Sequence, residues 1–450
     1  MRFLPDSREP KVAIIGFGYV GCCLGVTLAD QGLYVTGIDR NPHLVSELNA
    51  GRCHISEPGL SEALEKLRGT SRLTFDTEYD AIKDADVVVI AVGTPIGPDR
   101  SLITEQLEEV CATLAPRLRR GQLVVLKSTV APGTTRGLVR PLLEGGGLVQ
   151  REDFGLVFCP ERLSEGNALS ELRELPIIVG GCDPESTHSA AEFWKRALNV
   201  PVCEYASPEV AEIVKLADNW WIDHNIALAN DLARLCDVFR VDVLQVITGA
   251  NSLPKGTGHV NILLPSVGVG GYCLTKDPWI TWNAARERGV RLKTIETGRA
   301  VNDAMPAYTH EAISAELARA GWDPKSAKVA ILGAAFKNNT GDLRSTPVKP
   351  VVDGLLAAGV TVSLFDPLAD PAELRSLMGV EASATLEEAV DGAHCLAVLA
   401  GHEPFRQLDF AALRECVPSP CLVFDGRAYY SQETIDELRR LGFDYRGIGR

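Results

Sequence analysis

The 450-residue sequence has no run of Lys and Arg to set against its excess of acids. With 45 basic and 59 acidic side chains its formal charge is −14, which argues against broad binding to nucleic acid or to an anionic membrane surface. An anionic ligand would therefore need locally concentrated cations. Also missing is an apolar stretch of spanning length: runs such as Val87 to Val92 suffice for a strand and fall well short of a bilayer. The first ten residues, MRFLPDSREP, lack the apolar segment of a signal peptide, so the expectation is a cytoplasmic protein. Twelve cysteines occur without a Cys-x-x-Cys pair and without clustered histidine, so no zinc site and no other metal is expected. Scattered cysteine of this kind suits a reducing compartment, and the adjacent Cys22 and Cys23 are expected to pack in a core.

What is present is ordinary globular composition, 46% apolar and 23% charged, in a chain long enough for two or three domains. Lys11 to Phe17 is a short apolar run ending at glycines, followed by a helical pattern from Tyr19 to Gln31 and a second strand from Tyr34 to Asp39. Ala85–Pro95 and Gln122–Val130 read as buried strands with a helix from about Thr104 to Leu118 between them; Gly155–Arg162 and Pro176–Gly180 read as later strands. Strands alternating with helices predict a parallel sheet covered on both faces. From Pro208 to about Arg240 only helical periodicity remains, through Val210, Ile213, Val214, Ala217, Trp220 and Trp221, then Leu228, Leu232 and Leu235. Such a helix carries more apolar surface than one neighbour covers, which suits a helical linker domain and a dimer interface. After Lys325 the alternation restarts, and each half has a first strand ending in glycine and a second ending in an acid, Asp39 or Asp366. The expected fold is α/β: two Rossmann-like parallel-sheet domains, 1–206 and 325–450, joined by a central all-helical domain, 207–324.

Gly16, Gly18 and Gly21 follow a strand and open a helix, the context that gives a glycine fingerprint its meaning. Gly16 permits the turn, Gly18 lets backbone approach a diphosphate, Gly21 lets helix and strand pack closely, and the helix start with Tyr19 and Val20 stabilises the phosphates. Asp39, 18 residues after Gly21, has the spacing of the acid that binds adenosine ribose hydroxyls. Its charge would repel a 2′-phosphate and favours NAD, although Arg40 beside it leaves NADP open and a flavin competes for such a fingerprint.

A second feature lies far downstream, in Gly270-Gly271-Tyr272-Cys273-Leu274-Thr275-Lys276-Asp277. Glycines before Cys273 permit close approach, and Lys276 favours the thiolate, so Cys273 reads as a positioned nucleophile. Lys215 and Asn219, four apart, share one face of a helix. These residues, together with Val92-Gly93-Thr94-Pro95, Lys127-Ser128-Thr129-Val130, Pro160-Glu161-Arg162, Phe336-Lys337 and Gly447-Ile448-Gly449-Arg450, resemble the UDP-glucose/GDP-mannose dehydrogenase family in order and over nearly the whole chain.

That resemblance implies an N-terminal NAD domain, a long central helix used for homodimerisation and a C-terminal domain binding the UDP-sugar. It implies oxidation of the sugar C6 alcohol to a carboxylate with two NAD, through a thiohemiacetal and a thioester on Cys273. By the same resemblance Lys215 and Asn219 stabilise the oxyanion at C6 and contact the substrate. Asp277 acts with a water as base, and Glu161 with Thr129 serves thioester hydrolysis. Thr94, Thr129, Arg40 and Lys276 border the cofactor. Arg162, Leu163, His259 and Gly270 contact the sugar-nucleotide, and Lys337 and Arg427 supply charge near its anionic part. His402 reads as a packed or capping histidine, and Arg344 as equally a structural or a substrate residue.

Arg162, where UDP-glucose enzymes of the family have an aromatic, and the segment Gly258–Leu263 resemble the UDP-N-acetylhexosamine branch. His259 takes the place of an Arg expected to reach across a subunit boundary. Lys276-Asp277 resembles the UDP-glucose branch. The expected substrate is UDP-N-acetylmannosamine or UDP-N-acetylglucosamine, with UDP-glucose the alternative and product for cell-envelope polysaccharide. A two-electron dehydrogenase would need neither Cys273 nor a second Rossmann-like domain. A non-catalytic NAD- or sugar-nucleotide-binding regulator would have no reason to keep both redox and hydrolytic groups.

Overall fold

The computed structural model describes residues 2–5 and 9–450. The chain forms two compact units, one of residues up to Asp218 with Trp279–Val290, the other of Asn219–Pro278 with Arg291–Arg450.

The first unit is built on an eight-stranded sheet of β1 (Lys11–Ile15), β2 (Tyr34–Ile38), β3 (Leu73–Asp76), β4 (Val87–Ile90), β5 (Leu123–Leu126), β6 (Gly155–Phe158), β7 (Ile177–Gly181) and β8 (Val202–Tyr205). Its order is β3-β2-β1-β4-β5-β6-β7-β8. Strands such as Val87–Ile90 and Leu123–Leu126 are apolar at every position and wholly buried, as a parallel sheet covered by helices on both faces requires. The first six strands have the dinucleotide-binding order, whose crevice opens between β1 and β4 where the winding reverses. The expectation of an all-parallel sheet fails at one place: β7 runs antiparallel to β6, with Val157 opposite Gly181 and Phe158 opposite Gly180. The 18 residues between them include only the seven-residue helix Ala168–Glu174, and β7 re-enters the sheet from the edge at which β6 ended. A parallel return would have to carry the chain back across a face, which this connection does not do.

In the second unit, a small hairpin of β9 (Pro254–Lys255) and β10 (Gly258–His259) precedes a sheet of β11 (Lys328–Leu332), β12 (Thr361–Phe365), β13 (Cys395–Val398), β14 (Cys421–Asp425) and β15 (Phe443–Gly447). This sheet is parallel throughout, in the order β12-β11-β13-β14-β15, the other common doubly wound arrangement.

The helical region contains the helices Pro208–Phe239, Tyr272–Arg286 and Lys293–Arg319. Pro208 opens its helix where a missing N–H has no cost, and the helix ends within one residue of the sequence expectation. Within the second unit, a buried polar network fixes the irregular segment that leads to Gly270. Arg299 meets Asp223 at 2.6 Å, Asn302 donates to Asp223 and accepts from Asn230, and Asn230 accepts from Ser266 N–H. Asn251 bonds both backbone groups of Ile262, and Asn225 bonds Asn261 and Leu263. Nearly satisfied networks of this kind hold a loop in one arrangement, where packing of small side chains would not. No helix among the described residues is long and apolar enough to cross a membrane.

Candidate active site

The cofactor cradle assembles at the end of β1. Gly16 has φ +88°, and its N–H donates to Ile38 O at 2.8 Å, turning the chain back beside β2. A Cβ on Gly21 would stand 2.0 Å from Gly16 O, while one on Gly18 would meet nothing within 4 Å. The turn is therefore closed toward the sheet and open on the side where a diphosphate would lie. Asp39 is aimed by two backbone donors, Phe17 N at 2.9 Å and Asn41 N at 3.0 Å. It lines a cavity of about 160 Å³ with Gly16, Ile38, Tyr79, Val92 and Glu109. Arg40 faces Glu109 at 4.0 Å, so its charge sits among acids, an arrangement that fits ribose hydroxyls and not a 2′-phosphate. The residues present fit NAD. Tyr19 directs its hydroxyl to Glu57 at 2.6 Å, leaving its backbone to the phosphates; Val20 is half-buried beside Leu24. The buried Thr94 donates its hydroxyl to Thr129 O at 2.6 Å and so braces the ends of β4 and β5 against each other.

A second group of the same unit surrounds Glu161, beyond the end of β6. Lys215, on the helix Pro208–Phe239, approaches it at 3.9 Å, and both are largely buried. The Glu161 carboxylate also accepts from the N–H of Leu163, which folds the segment back on itself. Arg162 is turned the other way: Nε donates to Asp218 Oδ2 at 2.9 Å and Nη1 to Pro176 O at 3.4 Å. Asp218 follows Lys215 by three residues, so the helix presents a cation to Glu161 and an anion to Arg162. Sequence reasoning passed over Asp218 and gave the buried Lys127 no role of its own, although a lysine closing a fully apolar strand is itself a signal. Glu57, which also accepts from Gly166 N and Ala168 N, had none.

In the second unit, Cys273 is the second residue of the helix Tyr272–Arg286 and is exposed. First-turn N–H groups and the helix dipole favour a thiolate at that position. Gly271, at φ +76°, lies against Phe336, whose ring a Cβ would meet at 2.7 Å; on Gly270 a Cβ would meet Phe336 and Ser345 O. Asp277 is buried on the same helix. Its Oδ2 accepts from Asn219 Nδ2 at 2.5 Å, and its Oδ1 lies 2.8 Å from Lys276 Nζ. Lys276 is thus engaged with Asp277, and the helix start adds a positive influence at Cys273. Burial pushes the thiols of Cys23, Cys111, Cys182 and Cys421 up to about 12, which leaves those four inert at neutral pH.

The C-terminal sheet repeats the cofactor turn with a different outcome. Gly333, at φ +82°, donates to Phe365 O at 2.9 Å, as Gly16 does to Ile38 O. Asp366 takes the place of Asp39, but it accepts from Ala334, Ala335, Leu368 and Ala369 N–H and from His402 Nε2. Burial disfavours the Asp366 anion, yet His402 and the backbone donors hold its carboxyl below the usual range. His402 is fully buried, and its Nδ1 accepts from Asn339 N at 2.9 Å, so it packs and orients. At this edge Arg427 donates to Leu399 O at 2.8 Å and Phe336 O at 2.7 Å. Burial lowers its guanidinium to about 10, which leaves it cationic at neutral pH. Lys337 follows Phe336, half-buried. Arg344 is bound to Asp342 and lies 5.1 Å from the Tyr272 ring centroid. His259 stands exposed on the small hairpin.

Comparison with known proteins gives a consistent result. Residues 10–198 match the NAD binding domain of the UDP-glucose/GDP-mannose dehydrogenase family, 209–304 its central domain and 330–432 its UDP binding domain. The UDP-N-acetyl-D-mannosamine dehydrogenase of Methanococcus maripaludis is 34% identical over 413 residues, 91% of this chain and 90% of that protein. An NDP-N-acetyl-D-galactosaminuronic acid dehydrogenase of Ralstonia nicotianae is 34% identical over 96% of this chain and 98% of its own. The solved UDP-D-ManNAc dehydrogenase of Pyrococcus horikoshii superposes with a TM-score of 0.87 at 29% identity, covering 98% of this chain and 99% of that one. The chain belongs to the UDP-glucose/GDP-mannose dehydrogenase family, and is an NAD-dependent nucleotide-sugar dehydrogenase.

Proposed function

We propose that the protein oxidises the C6 hydroxyl of a UDP-N-acetylhexosamine, UDP-N-acetylmannosamine foremost, to the uronate through acyl chemistry on Cys273. The observation that carries this reading is a cysteine in the first turn of a helix whose next turn holds a buried carboxylate fixed by Asn219. Relatives that act on N-acetylated sugars, and Arg162 in place of an aromatic, support the acetamido substrate. In this reading 1–206 is the NAD domain, 207–324 the central domain and 325–450 the UDP-sugar domain.

Bound NAD supplies the acceptor for each of the two hydrides. Asp277, through a water, takes the proton of the C6 hydroxyl, while the Lys215 ammonium and Asn219 amide stabilise the oxyanion that develops. An aldehyde is a poor hydride donor, so the Cys273 thiolate adds to the carbonyl carbon and makes a thiohemiacetal, whose second oxidation leaves a thioester. Glu161, with Thr129, then activates water: the water oxygen bonds to the acyl carbon, the C–S bond breaks, and a water proton passes through Glu161 to the leaving thiolate. Arg427 and Lys337 provide the local charge that an anionic nucleotide needs in a chain of net charge −14. Arg162, Leu163, Gly270 and His259 border the sugar-nucleotide. The thiol chemistry, with twelve cysteines in no disulfide, suits the cytoplasm.

The test is to supply purified protein with NAD and UDP-N-acetylmannosamine, UDP-N-acetylglucosamine, UDP-N-acetylgalactosamine or UDP-glucose, counting NADH per sugar consumed. About two NADH per acetamido sugar and an acid product are expected, two equivalents being the stoichiometry of alcohol-to-acid oxidation. One NADH per sugar at completion would end the four-electron reading, and a preference for UDP-glucose would reassign the substrate.

The active form is a homodimer through the long helix. Trp221, Leu228 and Leu235 recur every seven residues, each about half exposed, with Phe239 following. A seven-residue apolar stripe is what a helix presents to a partner helix. Leu228→Glu with Leu235→Glu is expected to sediment at the chain mass, and wild type at twice that mass. A double variant that stays dimeric would place the interface elsewhere.

A further inference from the structure

Lys127 follows β5 directly and is only 6% exposed. A buried ammonium is costly unless paired, and the groups around this one are dipoles and a ring. Its Nζ lies 3.5 Å from Cys159 O and 3.4 Å from Pro160 O, with the Trp194 ring centroid 5.2 Å away. Both carbonyls belong to the residues immediately before Glu161, so the ammonium fixes the backbone that carries that carboxylate. An ammonium has three N–H donors, and two carbonyls account for two of them. Beside it lies a cavity of about 30 Å³ lined by Lys127, Glu161, Pro160, Val20, Leu24 and Trp194. About 15 Å³ of such space admits one water, provided that polar partners are present. Lys127 and Glu161 are such partners; Val20 and Leu24 are not.

We propose that Lys127 is a positioning residue that holds one ordered water against Glu161, a lysine–water–carboxylate relay that keeps the hydrolytic carboxylate ionised and in place. The inference rests on the reading of Glu161 as the base for thioester hydrolysis. Charged and titratable groups face Glu161 from the elements packed against it. Lys215 approaches from the long helix at 3.9 Å, Lys127 from the end of β5, and Cys23 from the helix after the fingerprint. Arg162 and Glu171 line the same cavity from its own segment. Arg162 is held by Asp218, and Cys23 is neutral at working pH. Loss of the Lys127 charge therefore raises the pH at which Glu161 ionises, and leaves the cofactor turn and Cys273 untouched.

The experiment uses the full chain with NAD and UDP-N-acetylmannosamine, comparing wild type with Lys127→Met, a neutral side chain of similar length. NADH is followed by rapid mixing, the acyl adduct on Cys273 by mass spectrometry of quenched enzyme, and stability by thermal melting. Lys127→Met is expected to accumulate the adduct and to lose steady-state turnover by roughly 10- to 100-fold, at or below the lower end of the loss of a general base. The acid limb of its turnover–pH profile moves upward, while KM for both substrates stays within about twofold, the signature of a step after binding. Its melting temperature stays close to that of wild type, since an apolar chain of similar length replaces a buried charge whose desolvation is itself costly. Hydrolysis at the wild-type rate would overturn the proposal, as would a general slowing of every step with a lowered melting temperature. Should Lys127→Met fail to fold, Lys127→Gln, which keeps a donor for the carbonyls without the charge, carries the same expectation. Glu161→Gln is run in parallel. If it accumulates no adduct the reading of Glu161 falls and takes the relay with it; if it does and Lys127→Met does not, only the relay falls.

Discussion

Cys273→Ala is expected to abolish uronate formation, with turnover to the acid reduced by on the order of 10⁴-fold or more. The size follows from chemistry. Without a thiolate the aldehyde has no adduct from which a second hydride can leave, and water would have to serve at a carbonyl that nothing activates for it. The substitution costs little elsewhere, because Cys273 is exposed in a first helical turn and contributes no core packing. Affinity for NAD at the Gly16–Gly21 turn should therefore be unchanged, which separates loss of the nucleophile from loss of the fold. The check is product analysis with counted NADH. Acid formed at the wild-type rate would mean that the nucleophile lies elsewhere.

Lys215→Ala is expected to lower turnover by roughly 10²- to 10³-fold, the range for removing one preorganised donor from a developing oxyanion. Two effects combine. The oxyanion loses a buried cation, and Glu161 loses the ammonium 3.9 Å from its carboxylate. The first slows hydride release and the second slows hydrolysis, so single-turnover measurements should show both steps impaired. Removing one partner of a buried ion pair also leaves the other less well compensated, and the variant should melt lower than wild type. A variant with wild-type turnover would remove Lys215 from the oxyanion role. One with raised KM alone would make it a binding residue.

Local rules carried much of what the sequence disclosed. The glycine turn is legible because Gly16 needs a positive φ and Gly21 cannot carry a Cβ, requirements that act within a few residues. The long helix is legible because Pro208 marks its start and the 3.6-residue period continues to Phe239. The reversed β7 was hidden, since a largely buried apolar strand reads the same in either direction. So was the engagement of Lys276 with Asp277, because chain neighbours on a helix do not ordinarily face each other. Arg162 disclosed its residue type and not its partner: Asp218 lies 56 positions away, and no periodicity joins the two. The second sheet announced its Asp366 at the position of Asp39, and only the folded chain reveals that five donors already surround that carboxylate.

That enclosed carboxylate bears on the order of events in catalysis. A free acid at the end of β12 would have offered a second carboxylate for ribose hydroxyls, as Asp39 does after β2. With Asp366 enclosed, both oxidising equivalents of the proposed reaction are drawn in succession through the seat at β1. Between the two withdrawals the sugar is a reactive aldehyde that solvent could carry off. In the proposed reaction the sulfur of Cys273 is therefore a mooring as well as an activator, keeping a half-finished product at the quay while the seat is cleared.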